Sequence, residues 1–581
     1  MPENRKSLQE EFEPLFNPRA VAVIGATNNW SKWGFSTWNS LLDGYKGKVY
    51  PVNNRDKEVL GHRAYSRVID IPEDEPVDLA VFVIPAEGVP SVMEDCVQKG
   101  VRAAVIISAG FAETGEEGKK LQDEVVRIAR KGPLRFIGGN CMGFWSATAN
   151  LKAFMFPLLV MDGPLAMVSQ GGNIGGSVVS AGYTRGIGFR SYVSCGCTAD
   201  IQVEDYIEYF GDDPKIEVIL AYIEGVNDGT RFTEKVSRVS AKKPVIALKP
   251  GKTEAATTAI TSHSGALAGS STLYDSAFKK AGIMRVNTPE ELLDTGMGFV
   301  TQPLPRGKKI AIISPGGSYG VLTADTCASM GLEVIKLSDE TIAEFDKILP
   351  PRWSHGNPVD PAGDRNFIAY MQAPDLLLKL PEVDSLIYMG FTNFSGWATR
   401  FSGINKDITK IYQELIQELT KLIPGKEALE DPRTDESWME ELTKKLVESF
   451  FAVFGTTDST DLEAFSQKLT SIFKNKKVGP KLKEQFLRTA KSFHNGTIGE
   501  NMNPFGPVLE ALMEGLLITW IKTYDKPVIT TSFMEMSTVS KLGYHAYPTP
   551  ERAATVLTKM MEYREYLEQK GIVRIQGPSP P

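Results

Sequence analysis

Cysteine is scarce: five in 581 residues, far too few to staple a disulfide scaffold. The nearest two, Cys195 and Cys197, have no second pair at metal-ligand spacing, so no metal site is expected. No uninterrupted apolar run approaches the ~20 residues of a membrane span. The opening stretch MPENRKSLQEEFEPLF is charged and has no apolar centre, so no secretory signal is expected there. Positive charge is not in excess either. A formal net charge of −7 argues against general affinity for nucleic acid or anionic membrane. A cytoplasmic protein that engages neither is the expectation.

What is present is ordinary globular material, 42% hydrophobic and 23% charged, in a chain long enough for three α/β domains. Short apolar runs alternate with helical stretches: AVAVIGAT, KVYPVN, DLAVFVI, AAVIIS and RFIGG, then PLAMVSQ, FRSYVSCG, VILAYIEG and PVIALK. That alternation predicts parallel sheets covered on both faces. The linker TQPLPRGKK marks a boundary, after which KIAIIS, LEVIKL, SLIYMGF and KPVITTSF continue the style. Between the last two the texture becomes helical. Ile408, Ile411, Tyr412, Leu415, Ile416 and Leu419 share one helical face, and Trp438, Leu442, Leu446, Phe450 and Phe454 share another. These stripes predict ordinary core in a helical insertion.

Two glycine turns invite phosphate. IGATNNWSKWG follows the first strand and opens a helix, whose N–H groups attract anions. It has Gly25 and Gly34 but no GxGxxG, and the second strand ends Asn53-Asn54-Arg55 with no carboxylate for a ribose. NAD is therefore disfavoured, while NADP stays open; Arg55 is equally well a solvated surface residue. VSQGGNIGG makes a second such turn, with Ser169, Gly171 and Gly172. A lone GG is more often a plain tight turn, but here a histidine follows. Of five histidines, His62, His355, His494 and His545 read as structural or exposed. His263 lies in TAITSHSGALAG, a stretch of small and hydroxylated residues between a strand and a helix. Neutral imidazole is a competent nucleophile towards phosphorus. Glu224, at the end of the strand VILAYIEG, is the candidate carboxylate to fix its tautomer. These residues point to phosphoryl transfer.

Many ordered motifs carry a family resemblance: FNPRAVAVIGAT, YPVN, AAVIISAGFAETGEEG, GGNCMG, SQGG, YIEG, KPVIALKPGKT, SHSGALAG, NPVDPAGD and PTPERAA. The chain resembles the CoA-binding, phosphohistidine-carrying α-type subunit of NDP-forming acyl-CoA synthetases, relatives of succinyl-CoA synthetase. The resemblance implies an α/β protein: a Rossmann-like CoA-binding domain over 1–150, then two flavodoxin-like domains. The first of these, over 160–302, holds the phosphohistidine loop. The second, over 307–397 and 504–575, carries the helical insertion 398–503. It also implies a reaction joining a carboxylic acid to CoA with ATP or GTP, through a phosphohistidine and an acyl phosphate. By motif, His263 is phosphorylated and Glu224 orients it, with Ser169, Gln170, Gly171 and Gly172 holding phosphate. Gly25, Thr27, Asn28, Gly34, Asn53, Arg55, Val83, Ile84, Pro85, Ser108 and Asn140 line the CoA site.

Three departures from the family pattern stand out. Gly139 replaces a proline of GPNC, Gly171 a serine of the phosphate turn, and Cys197 an asparagine. The chain also shows no ATP-grasp module, so the resemblance implies a separate ATP-grasp β-type subunit that holds the nucleotide with Mg2+ in a hetero-oligomer. Two alternatives remain at this level: a non-catalytic CoA-binding or regulatory module, and an NAD(P)-dependent oxidoreductase suggested by fold class alone.

Overall fold

The computed structural model describes residues 7–256, 271–363, 367–389, 417–419, 421–424, 437–453, 459–476, 479–494, 506–531 and 544–573. The apolar runs become strands because both of their faces find cover. In the first sheet, β1 (Ala20–Ile24), β2 (Lys48–Val52), β3 (Leu79–Phe82), β4 (Ala103–Ile106) and β5 (Arg135–Gly138) run parallel in the order β2-β1-β3-β4-β5. Side chains alternate across it. Val21, Val23, Leu79, Val81 and Val105 enter one core, and Ala22, Ile24, Phe82, Ala104 and Ile106 enter the other. Full burial of each such large side chain stabilises by roughly 1.5–3 kcal/mol.

The second sheet comprises β6 (Gly143–Ser146), β7 (Leu151–Phe154), β8 (Leu165–Ser169), β9 (Phe189–Ser194), β10 (Val218–Tyr222), β11 (Val245–Leu248) and β12 (Ile283–Val286). Its order is β12-β11-β10-β8-β9-β6-β7. The β6–β7 hairpin is antiparallel to β9 and extends that edge; the sequence reading placed no strand there. One face of this sheet joins the core already begun by the first, since Ala166, Val168, Val193 and Ile219 cluster with Val21 and Val81. The helices that matter most below are α1 (Trp33–Leu42), α2 (Gly172–Thr184) and α3 (Ser271–Ala281).

The chain divides into two compact units, one covering Met1–Val300 with Gln569–Ile572 and the other the remainder. The second unit is built on a parallel sheet of β13 (Lys309–Ile313), β14 (Glu333–Val334), β15 (Ser385–Met389), β16 (Val528–Thr531) and β17 (Ala546–Tyr547). Between β15 and β16 come helices at Ser437–Val453, Ser459–Ser471, Gly479–His494 and Gly506–Tyr524. Leu419, Trp438, Leu442 and Leu446 are buried there with Leu469, Leu482 and Phe486, so those members of the predicted stripes are core. Ile408, Ile411, Tyr412, Leu415, Ile416 and Phe454 lie outside the described residues. Among the described residues no helix is long and apolar enough to cross a membrane.

One ion pair ties the bottom of the first sheet together. Arg19 sends its Nε (2.9 Å), its NH2 (2.8 Å) and its backbone N–H (2.8 Å) to the carboxylate of Asp78. Burial works to raise the Asp78 pKa, but these hydrogen bonds outweigh it and hold the carboxyl below its usual value. A depressed carboxylate contributes stability above its unfolded pKa of about 3.9 and loses it as pH falls through the folded value. Arg19→Met should therefore lower the melting temperature at pH 7, with the difference shrinking to nothing well below pH 3.9. A difference that persists unchanged into acid would show that the pair does not act through charge.

Candidate active site

In open parallel sheets, ligands sit beyond the carboxyl ends of the strands, and the sequence-predicted residues fall along two such edges. At the first, β1 ends in Gly25 at φ +92°. Its N–H donates to Val52 O at 2.9 Å, and a Cβ there would stand 2.3 Å from Val83 O. Gly34, in the first turn of α1, is pressed just as closely, because its Cβ would lie 2.0 Å from Gly25 O. The two glycines let the helix start descend onto the strand end. No side chain caps that helix, which leaves its first N–H groups for an anion.

Asn53 holds the second strand to this turn. Its Nδ2 donates to Ala26 O at 2.8 Å, and its Oδ1 accepts from the N–H of Arg55 (2.8 Å) and Asp56 (3.0 Å). Arg55 itself is exposed. Thr27 Oγ1 accepts from Asn29 N at 3.2 Å, and Asn28 bridges to Glu58 O and Leu60 N at 2.9 Å each. Val83, Ile84 and Pro85 leave β3, Ser108 leaves β4, and Asn140 leaves β5 with its N–H donating to Ser108 O at 2.8 Å. Ser108 Oγ is buried with no partner among the described residues, the kind of orphan that a ligand satisfies. An uncapped helix start and an orphan hydroxyl suit a molecule with phosphates and amides, as CoA has.

At the second edge, β8, β10 and β11 end side by side, with Ser169 opposite Tyr222 and Tyr222 opposite Leu248. Gly171 precedes α2 and no side chain caps the helix. Ser169 is fully buried and its Oγ donates to Gly171 O at 2.6 Å. Gln170 Oε1 accepts from Glu224 N (2.5 Å) and Gly225 N (3.0 Å), while its Nε2 donates to Gly225 O (3.0 Å). These two side chains thus build the turn and lock it to β10. The donors left to face an anion are backbone N–H groups at the start of α2.

Glu224 is buried against that turn. Its Oε1 is 3.6 Å from where a Cβ on Gly171 would lie. The Tyr222 ring comes within 2.8 Å of the same point, and its hydroxyl is close enough to Glu224 to feel it. Burial first, and then Glu224, push the phenol pKa up. Tyr222 therefore fills the space that a serine at position 171 needs. A similar exchange occurs at Gly139, where a Cβ would stand 2.3 Å from the Phe111 ring. The Cys197 thiol, raised in pKa by burial and by Glu113, donates to Glu113 Oε2 at 3.4 Å. Met142 and Ser194 close the other side of the turn: a Cβ on Gly172 would lie 2.5 Å from Met142 Sδ and 2.8 Å from Ser194 Oγ.

His263 lies outside the described residues. The described chain runs on from β11 to Ala256 and resumes at α3. Three of the other histidines have local roles: His62 meets Trp38 edge-on at 5.3 Å, His355 Nε2 is 3.3 Å from Asp346, and buried His545 packs edge-on against Tyr547. The second unit repeats the turn construction. Ser314 Oγ donates to Gly316 O at 2.7 Å before an uncapped helix at Gly317–Ser329.

Comparison with known proteins bears on this geometry. The CoA binding domain family matches residues 19–146, the succinyl-CoA ligase-like flavodoxin domain 162–299, and the ligase-CoA domain 310–406. The chain is 44% identical to the α subunit of ADP-forming acetate–CoA ligase II of Pyrococcus furiosus, over 64% of this chain and 81% of that protein. It is 41% identical to the α subunit of ligase I of the same organism, over 64% and 82%. Among solved structures, a dinucleotide-forming acetyl-coenzyme A synthetase of Candidatus Korarchaeum cryptofilum, in complex with phosphate and ADP, is similar with a TM-score of 0.69 at 29% identity. That likeness covers 97% of this chain and 99% of the other.

Proposed function

The chain belongs to the family of ADP-forming acetate–CoA ligase α subunits, and on that premise we propose that it joins a small carboxylic acid to CoA at the expense of ATP or GTP, through a phosphohistidine at His263 and an acyl phosphate. The carrying observation is the juxtaposition of Glu224 with the uncapped start of α2 at one strand edge, an edge that includes β11, the last strand before His263 in the sequence. Helix-start N–H groups stabilise phosphoryl charge, and a buried carboxylate can orient an imidazole and stabilise its charged form. Gly171 and Gly172 hold phosphate through their backbone, with Ser169 and Gln170 shaping the turn. Gly25, Thr27, Asn28, Gly34, Asn53, Arg55, Val83, Ile84, Pro85, Ser108 and Asn140 form the CoA cradle. When bound, CoA supplies the thiol that attacks the acyl phosphate.

The steps divide the work. The nucleotide's γ-phosphoryl passes to the imidazole, releasing NDP. The carboxylate substrate takes the phosphoryl group, and the CoA thiol then displaces phosphate to give the thioester. A partner subunit of ATP-grasp type completes the first step by holding the nucleotide with Mg2+, and the assembly works in the cytoplasm. The same domain plan serves the regulatory alternative, but the family relatives are named as ligases, which favours catalysis. The test is labelling in a native extract of the source organism, which supplies the partner. ATP carrying a labelled γ-phosphate should give this chain an acid-labile, base-stable label that is discharged by adding the acid and CoA. A chain that binds CoA but takes no label would put the regulatory module first.

A further inference from the structure

The residue after β11 is a lysine that the phosphoryl-transfer reading does not use. Lys249 is only 4% exposed. Its ammonium has three donors. One goes to its own neighbour, Pro250 O, at 2.7 Å, and the group lies over the Tyr274 ring, 4.4 Å from its centroid. Among the described residues no carboxylate lies within ion-pair distance of it. Burying a cation without a counter-ion is costly, and lysines buried for structure alone are normally paired.

Its surroundings say what the missing partner is. Strand register sets Leu248 beside Tyr222 and Tyr222 beside Ser169. Ile223 N donates to Leu248 O at 3.1 Å and Gln170 N to Tyr222 O at 3.1 Å. Lys249 is therefore one residue past its strand end on the same edge as the phosphate turn and Glu224. Tyr274 Oη, on α3, accepts from Val226 N at 3.1 Å, tying the lysine's aromatic support to the loop that bears Glu224. From β12, Arg285 NH2 donates to Lys249 O at 3.0 Å while Arg285 NH1 is paired with Asp275. Among the described residues, the charged and titratable groups around the ammonium are Arg285, Glu224 and Tyr274. Burial first, and then Arg285, push its pKa down to about 8, with Glu224 opposing.

We propose that Lys249 is a catalytic residue of the phosphoryl-transfer site, an ammonium held in the dry strand edge to meet the phosphoryl group that the Ser169–Gly172 turn receives. This rests on the phosphohistidine reading. An arriving phosphoryl dianion supplies the missing counter-charge. It should raise the lysine's pKa and recover the cost of its burial.

The test uses the chain with its partner in native extract. Initial rates of label uptake from γ-labelled ATP below saturation are followed from pH 6.5 to 9.5 for wild type, Lys249→Met, Lys249→Arg and His263→Ala. Below pH 8 the free enzyme's lysine is charged, so Lys249→Met should be slower by roughly ten- to a hundredfold, the worth of one hydrogen bond to a charged group. The wild-type rate should fall as pH rises through about 8. Lys249→Arg, cationic throughout, should lose that fall. Lys249→Met keeps the volume and removes a costly buried charge, so the melting temperature should not fall and CoA affinity should stay as in wild type. If Lys249→Met labels at the wild-type rate with the wild-type pH profile while His263→Ala takes none, the proposal is overturned and the phosphohistidine stands. If Lys249→Met does not fold, a folded Lys249→Arg that retains the alkaline fall overturns it equally. A wild type without label defeats the phosphohistidine reading first, and this proposal with it.

Discussion

His263→Ala should leave the chain without phosphate label and lower acyl-CoA formation by roughly 10⁴-fold or more, the scale on which loss of a covalent nucleophile acts. Among the described residues, the carboxyl and hydroxyl groups at the second strand edge are already engaged. Glu224 is buried, and burial and Glu224 keep the Tyr222 phenol protonated. Ser169 Oγ is committed to Gly171 O, and an alkoxide there has no base to form it. CoA binding should be untouched, because the proposed cradle is at the edge of the first sheet, in the part that matches the CoA binding domain family. Glu224→Gln makes the companion measurement. It keeps the shape and removes the charge, so label should still form, but at a rate reduced by roughly 10²–10⁴. Full label on His263→Ala would move the nucleophile elsewhere in the chain.

Most of the parallel framework was legible because its strands are buried on both faces. AVAVI, LAVF and AAVI carry no alternation of polar and apolar residues, which is how doubly covered strands read. The β6–β7 hairpin was not legible. Gly143–Ser146 and Leu151–Phe154 are four residues each, and they exist as strands because β9 offers an edge. That is a tertiary cause with no local signature. The tight turn before α2 was legible through its glycines, but the use of its side chains was not. Serine and glutamine in such a turn suggest ligand donors; here Ser169 and Gln170 are spent on the turn and on β10. Tyr222 and Lys249 escaped for the same reason. A tyrosine ending a strand and a lysine following one look like ordinary edge residues until the fold shows which space and which charge they face. Even the departures become intelligible only in three dimensions. Tyr222 stands against Gly171 and Phe111 against Gly139, so the replaced side chains have given up their room to neighbours.

The first strand edge makes the other large prediction. A methyl group added at Gly34 would sit 2.0 Å from Gly25 O and 3.0 Å from Gly25 C. Both are backbone atoms, so no rotamer change relieves the clash, and α1 must back away from the end of β1. Such overpacking costs on the order of 1–3 kcal/mol. The displaced part is the helix start proposed to meet the CoA phosphates, so on that proposal the strain is expressed at the ligand. At the upper end, about 3 kcal/mol corresponds to roughly a hundredfold in Kd. Gly34→Ala should thus bind CoA about a hundredfold more weakly and make thioester slowly at limiting CoA. The second edge is left alone, so label from ATP should still reach His263 at the wild-type rate. That split between intact phosphorylation and failed CoA capture is the signature to seek. Gly229→Ala is the control, since a Cβ there meets nothing within 4 Å and alanine favours the helix it opens. If Gly34→Ala binds CoA as wild type does, the cofactor does not use the first turn, and the orphan Ser108 hydroxyl needs another ligand. If label is lost together with CoA binding, the two edges are coupled through the core that both sheets share.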